Sequence, residues 1–217
     1  MIRASLKKLG LALAAGAATV IGLGQPVNAA SPVTSGLVLH LDASASSTMT
    51  VDGSNTVSEW RDLQGSAAKM TLRGGTPTLV ASGIGSVPTV HFDRSSWMND
   101  SVNHSSPVTI LFVSRETGGS NARVLGAQNN WLMGYWGGGR EKFHFDSWVF
   151  QGPNGADTEP HLYATTIQGG GLDTTVWAEG VELASNTGGQ NGPNNLQLNG
   201  YNNSANELSD CDISEVL

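Results

Sequence analysis

The sequence predicts an all-β chain: an antiparallel two-sheet β-sandwich (jelly roll) preceded by a cleavable signal peptide. Three observations carry that prediction. Apolar residues alternate with polar ones in short runs, and no stretch shows the 3.6-residue period of a helix. Turn-forming residues separate the runs, and Gly alone is 28 of 217 residues, roughly twice its ~7% average usage. Charged residues are only 13%, while hydrophobic residues at 39% suffice for a core.

The elements follow in order. Leu37, Leu39 and Leu41 alternate with Val38 and His40, which predicts a first strand with one buried face. Val57 to Trp60 starts a second, and Val90 and Phe92 mark another after Pro88. Ile110 to Val113 is a continuous apolar run, suited to a central strand and too short for a helix. After the Asn129-Asn130 turn come Leu132, Met133 and Tyr135. Phe143, Phe145 and Trp148 to Phe150 then alternate with Lys142, His144 and Asp146. Leu162 to Ile167 follows Pro160. Val176 to Ala178 and Val181 to Leu183 flank Glu179-Gly180, a two-residue hairpin signal. Leu196 and Leu198 form the next strand and Ile213 to Leu217 the last, so Leu217 falls inside an apolar strand and a truncated final strand is expected. On this register Leu39, Leu41, Phe92, Ile110, Phe112, Phe145, Val176 and Leu198 face the core, joined by Trp60, Trp131 and Phe143.

Residues 1–30 read as a secretory signal peptide. Arg3, Lys7 and Lys8 precede the apolar run Leu9 to Leu23, and small residues follow at Val27-Asn28-Ala29. The run is short and rich in Ala and Gly, and no later stretch approaches the ~20 apolar residues of a membrane span. Cleavage leaves one domain, residues 31–217, with 8 Lys+Arg against 18 Asp+Glu. That acidic balance lacks the basic patch that nucleic acid requires. The expected location is secreted or cell-surface. Cys211 is the one cysteine, so no intramolecular disulfide can form and core burial must hold the domain.

The order of motifs resembles the laminin G-like, concanavalin A-like jelly roll of bacterial secreted proteins. Gly36-Leu37-Val38-Leu39-His40-Leu41-Asp42-Ala43 is similar to its opening, and Trp60-Arg61-Asp62-Leu63-Gln64-Gly65 to its Trp-x-Asp-x-x-Gly turn. Pro88-Thr89-Val90-His91-Phe92-Asp93, Val176-Trp177-Ala178-Glu179-Gly180-Val181 and Asp212-Ile213-Ser214-Glu215-Val216-Leu217 resemble later strands. The stretch from Trp131 to Phe145 is similar to the family's aromatic strand pair. The resemblance implies binding modules and enzymes alike. It makes no cofactor obligatory and allows calcium at a loop rim, with Asp93, Asn99, Asp100, Asp146 or Asp157 as oxygen ligands. No Asp-x-Asp-x-Asp-Gly loop is present.

Catalytic constellations are sparse. Asp210-Cys211-Asp212-Ile213-Ser214-Glu215 is similar to the Glu-x-Asp-x-x-Glu motif of retaining endoglucanases on the same jelly roll. In a regular strand Asp210 and Asp212 share a face and Glu215 points to the other; a bulge would be needed to bring it round. His40, His91, His104, His144 and His161 form no zinc-type pair, and His40, His91 and His144 are expected on solvated strand faces. No Gly-x-Ser-x-Gly elbow or phosphate loop appears. The most suggestive group is aromatic: Tyr135, Trp136, Arg140 and Asp146 lie on or beside a hairpin around Gly137 to Gly139. They are expected to offer an aromatic plane, a guanidinium and a carboxylate to one ligand. Three classes stay open. A recognition domain for glycan or an extracellular protein leads, ahead of a glycoside hydrolase or lyase and a passive structural domain.

Overall fold

The computed structural model describes residues 35–118 and 122–217. The predicted signal peptide, residues 1–30, lies outside them. Among the described residues seventeen strands form two antiparallel sheets packed as a β-sandwich, and one 3-10 turn, Ser46–Thr48, is the sole helical element.

The first sheet has β15 (Val181–Asn186), β14 (Thr174–Ala178), β13 (His161–Ile167), β8 (Val108–Glu116), β17 (Cys211–Val216), β6 (Val87–Phe92) and β5 (Thr78–Ile84) side by side. β1 (Leu41–Asp42) continues the β6 side along the second half of β17. The second sheet runs β12 (Trp148–Gln151), β11 (Gly139–Phe145), β10 (Trp131–Trp136), β9 (Leu125–Ala127), β16 (Leu196–Leu198), β7 (Trp97–Asn99), β4 (Lys69–Gly74), β3 (Val57–Arg61) and β2 (Met49–Val51). Strands distant in sequence lie together, β8 beside β17 and β9 beside β16, so the chain crosses repeatedly between sheets.

The alternation does what the sequence predicts. All eight predicted inward residues are buried, and Trp60, Trp131 and Phe143 are fully so. Along β8, Ile110, Phe112, Ser114 and Glu116 face the other sheet while Leu111, Val113 and Arg115 are half-exposed. The core therefore turns polar towards one end, where Ser114 and Glu116 meet Tyr135, Tyr163 and His161. Glu179 and Gly180 both adopt positive φ (51° and 75°) between paired Ala178 and Val181, the left-handed pair that a primed hairpin turn requires.

Two side chains face differently from the sequence expectation. His40, expected on a solvated face, is 2% exposed. The Asp62 loop folds over it: His40 donates its N–H to Asp62 Oδ1 (2.8 Å) and accepts from the Leu63 N–H (2.8 Å). Glu215, expected opposite Asp212, shares its face. A bulge between Ile213 and Glu215 inserts Ser214, so Ile213 and Val216 both point inward while Asp212 and Glu215 point outward.

Candidate functional site

The β10–β11 hairpin turns through Gly137 and Gly138, both at positive φ (62° and 75°), between paired Trp136 and Gly139. A bulge beside Gly134 sets the faces. Tyr135 lands in the core with 0% exposure, its ring edge-on to Tyr163 at 5.4 Å and its hydroxyl donating to the Ser114 carbonyl at 3.4 Å. Burial pushes its phenol far above the usual range. Tyr135 is thus corrected from ligand contact to core: adjacent residues of a strand face opposite ways, and Trp136 takes the outer side.

Trp136 is 37% exposed. Its ring lies 5.7 Å from Trp148, which meets His144 edge-on at 4.9 Å. These three rings form an aromatic ledge over the outer side of β10, β11 and β12, beside Lys142, whose ammonium donates to the Gly152 carbonyl. Arg140 does not join the ledge. It pairs with Asp157 (3.1 Å) and Glu141 (3.1 Å). Asp157 also meets His161 Nε2 (2.8 Å), and His161 Nδ1 meets Glu179 (3.0 Å). Burial would raise the Asp157 carboxyl, but the His161 hydrogen bond and the Glu159 N–H outweigh it and hold it below the usual range.

Asp146 sits in the β11–β12 turn, at the far end of β11 from the glycine hairpin. Seven strand residues place that end roughly 20 Å away. The four predicted residues therefore do not converge: Trp136 belongs to the ledge, Arg140 to an ion-pair network, Tyr135 to the core and Asp146 to a separate cleft. Still, the β11–β12 turn carries His144 and Trp148 at its two ends, so the ledge leads towards Asp146.

The cleft measures about 470 Å³. Six amide side chains line it (Asn103, Asn129, Gln168, Gln190, Asn191, Asn194), with serines, glycines and a single carboxylate, Asp146. Asp146 holds a left-handed backbone (φ 64°), with its N–H on the Asn130 carbonyl (2.9 Å). Asn191 and Asn129 both donate to Asp146 Oδ2, at 2.8 and 3.1 Å. Oδ1 has no partner among the described residues. Asn129 is itself fixed, accepting from the Asn194 N–H (2.9 Å) and donating to the Gly192 carbonyl (3.3 Å). Gln190 clamps the opposite wall, donating to the Leu172 and Thr187 carbonyls and accepting from the Gly171 N–H. A pre-oriented carboxylate oxygen among fixed amides is suited to polyhydroxy ligands, because it accepts hydroxyl protons without an ordering cost. A neighbouring cavity of about 480 Å³, lined by Leu37, Val38, Leu39, Val108 and Leu111, is mainly apolar and lacks that chemistry.

The cleft was not legible as a motif. Its walls come from five separate segments between Asn103 and Asn194. Asn129 read as a turn residue, and the one available signal was the density of Asn, Gln and Gly between 186 and 195.

The β17 carboxylates share an outer face, but each is engaged. Asp212 is buried and takes Arg115 Nε and an Arg115 terminal nitrogen on Oδ2 (2.9 and 2.8 Å) and His91 Nδ1 on Oδ1 (2.9 Å). Glu215 meets His40 Nε2 at 2.8 Å, and Asp210 meets Arg94 at 3.2 Å. Each of the five calcium candidates has protein partners. Asp93 caps the Ser95 N–H, Asn99 joins Arg73 and Asn203, Asp100 pairs with His104, and Asp146 and Asp157 are bound as described. Among the described residues no three His, Cys, Asp or Glu side chains gather as metal ligands. Among them, too, no helix is long and apolar enough to cross a membrane.

No family model matches the chain, and no curated protein matches it. Among solved structures it is similar to domain 4 of AbnA, an extracellular GH43 arabinanase from Geobacillus stearothermophilus, solved in complex with arabinotriose. The TM-score is 0.52 at 16% identity, over 82% of this chain and 90% of that one. At that identity the likeness is one of fold: both are β-sandwiches.

Proposed function

We propose that the chain is a secreted, non-catalytic carbohydrate-recognition domain of the laminin G-like, concanavalin A-like class, with its ligand in the Asp146 cleft. The observation that carries this reading is the Asp146 carboxylate, whose Oδ2 is held by Asn129 and Asn191 beside an amide-lined hollow while its Oδ1 has no partner among the described residues. Fixed donors and acceptors match sugar hydroxyls, and the rings of Trp148 and Trp136 extend the surface for stacking. The arabinanase domain supports the reading by analogy of fold, since it holds arabinotriose. The signal-like start of the sequence supports export. A single stacked sugar binds weakly, so multivalent glycans should bind better than free sugars. Glycan-array binding by the chain, weakened on Asn191→Ala at unchanged thermal melting, is the expected result, because the exposed Asn191 side chain bonds only to Asp146 among the described residues; an array without hits refutes the reading.

One observation favours a second reading. The β17 bulge puts Asp212 and Glu215 on one face, as a retaining glycosidase needs. Against it stands the double hold of Arg115 on Asp212, which occupies the carboxylate that would act. Release of reducing sugar from a β-glucan, abolished by Glu215→Gln, would establish hydrolysis.

A further inference from the structure

We infer that the Asp146 cleft selects neutral glycans and rejects anionic ones such as uronates and sulfated sugars. The inference rests on the reading of the cleft as a sugar site and adds the ligand's charge class. Among the described residues no Lys, Arg or His lines the cleft, and Asp146 is its one charged group. Charged donors such as guanidinium forks and ammonium groups bind carboxylate and sulfate more strongly than neutral amides do, and the one charge lining this cleft is negative.

The basic side chains nearest the cleft along the chain are engaged elsewhere. His104, between the lining residues Asn103 and Ser105, pairs with Asp100 Oδ2 at 2.6 Å. Lys142 donates to the Gly152 carbonyl on the outer face of β11. Arg123 holds the Trp131 carbonyl and the Asn130 side chain and pairs with Glu207. His144 Nδ1 meets the Asn130 carbonyl at 2.9 Å. An anionic sugar entering the hollow would meet the carboxylate of Asp146 at close range with no countercharge. A neutral sugar would instead offer hydroxyl protons to Oδ1 and find both donors and acceptors in the surrounding amides.

The test pairs polymers that differ in charge. Binding of the whole chain is measured by calorimetry against arabinan and dextran, and against polygalacturonate and dextran sulfate, at fixed low salt. At least one neutral polymer is expected to bind, and the anionic ones at least tenfold more weakly. Asp146→Asn keeps the shape, and Asn tolerates the left-handed backbone. It should weaken the neutral ligand several-fold and narrow the neutral-to-anionic ratio. If that variant melts early, Asn191→Lys, which places a cation at the rim, should narrow the ratio from the anionic side. Anionic polymers that bind the native chain as tightly as neutral ones, or a ratio unmoved in the folded variants, would overturn the inference while leaving the sugar site standing. Failure of every polymer, neutral and anionic, would remove the sugar reading itself.

Discussion

Replacing Asn199 with Ala should destabilise this domain more than any single exposed substitution. Asn199 is fully buried beside the end of β16. Its amide nitrogen lies within hydrogen-bond reach of the carbonyls of Asp93 (2.9 Å), Ser96 (2.8 Å) and Ser209 (3.0 Å). Its oxygen accepts the Ser209 N–H at 2.6 Å. One side chain thus ties the loop before β7 to the loop before β17. Truncation removes two donor hydrogens and one acceptor and leaves buried backbone groups without them, at about 1–3 kcal/mol per unsatisfied group. Ala must also hold φ 62°, at a further ~1 kcal/mol. The expected loss is about 3–5 kcal/mol, a large share of the ~5–15 kcal/mol of a typical domain. At roughly 2–4 °C per kcal/mol for a domain of this size, melting should fall by about 10 °C. Urea unfolding of the native chain, Asn199→Ala and Asn199→Gly separates the terms, since Gly removes the hydrogen bonds without the backbone strain. A loss below about 1 kcal/mol in both variants would refute the hydrogen-bond argument.

Phe112→Ala should cost about 3–5 kcal/mol in the same assay, because the ring is fully buried and packs 5.5 Å from Tyr163; a loss under about 1 kcal/mol would contradict its place in the core. Gly134→Ala should lower the melting temperature clearly, since a Cβ there would lie 2.7 Å from the Phe112 ring and 2.9 Å from Tyr163 at φ 97°; unchanged melting would mean the bulge relaxes freely. Asp62 supplies a pH dependence: burial would raise its carboxyl, but the N–H groups of Ser66 and His40 outweigh that and hold it below the usual range. A depressed folded pKa stabilises above the unfolded value near ~4 and loses that contribution as pH falls through the folded value, so Asp62→Asn should be less stable than the native chain at pH 6, with the gap closing towards pH 2.

The long strands were readable because a period of two survives wherever one face is buried. β8 and β11 show it, and Ile110, Phe112, Phe143 and Phe145 are inward where the alternation placed them, whereas the bulge in β10 breaks the period and carries Tyr135 inward. The sheet edges and fillers were not readable. β4 (Lys-Met-Thr-Leu-Arg-Gly) and β5 (Thr-Leu-Val-Ala-Ser-Gly-Ile) mix short polar residues with glycine, and β7 and β9 have three residues each. These strands form because neighbours supply ladder partners, information that lies elsewhere in the chain. The candidate site failed for a related reason. Tyr135 and Trp136 were grouped by proximity in sequence, yet strand geometry sends one inward. Glu215 was assigned by regular alternation, and one inserted residue, Ser214, reversed it.

How each carboxylate is held separates its role. Some, such as Asp52 and Asp93, accept N–H groups two or so residues ahead and shape local turns. Others, such as Glu59 with Lys69, Asp157 with Arg140 and Asp212 with Arg115, are matched by cations from a neighbouring strand. Asp146 fits neither pattern. Its oxygen takes two side-chain amides from distant segments, 17 and 45 residues away, and these neutralise no charge. Such an arrangement fixes the direction of a carboxylate while leaving its charge uncompensated at the surface. An oriented acceptor with no cation beside it among the described residues is the feature on which the proposed binding of a hydroxyl-rich ligand rests.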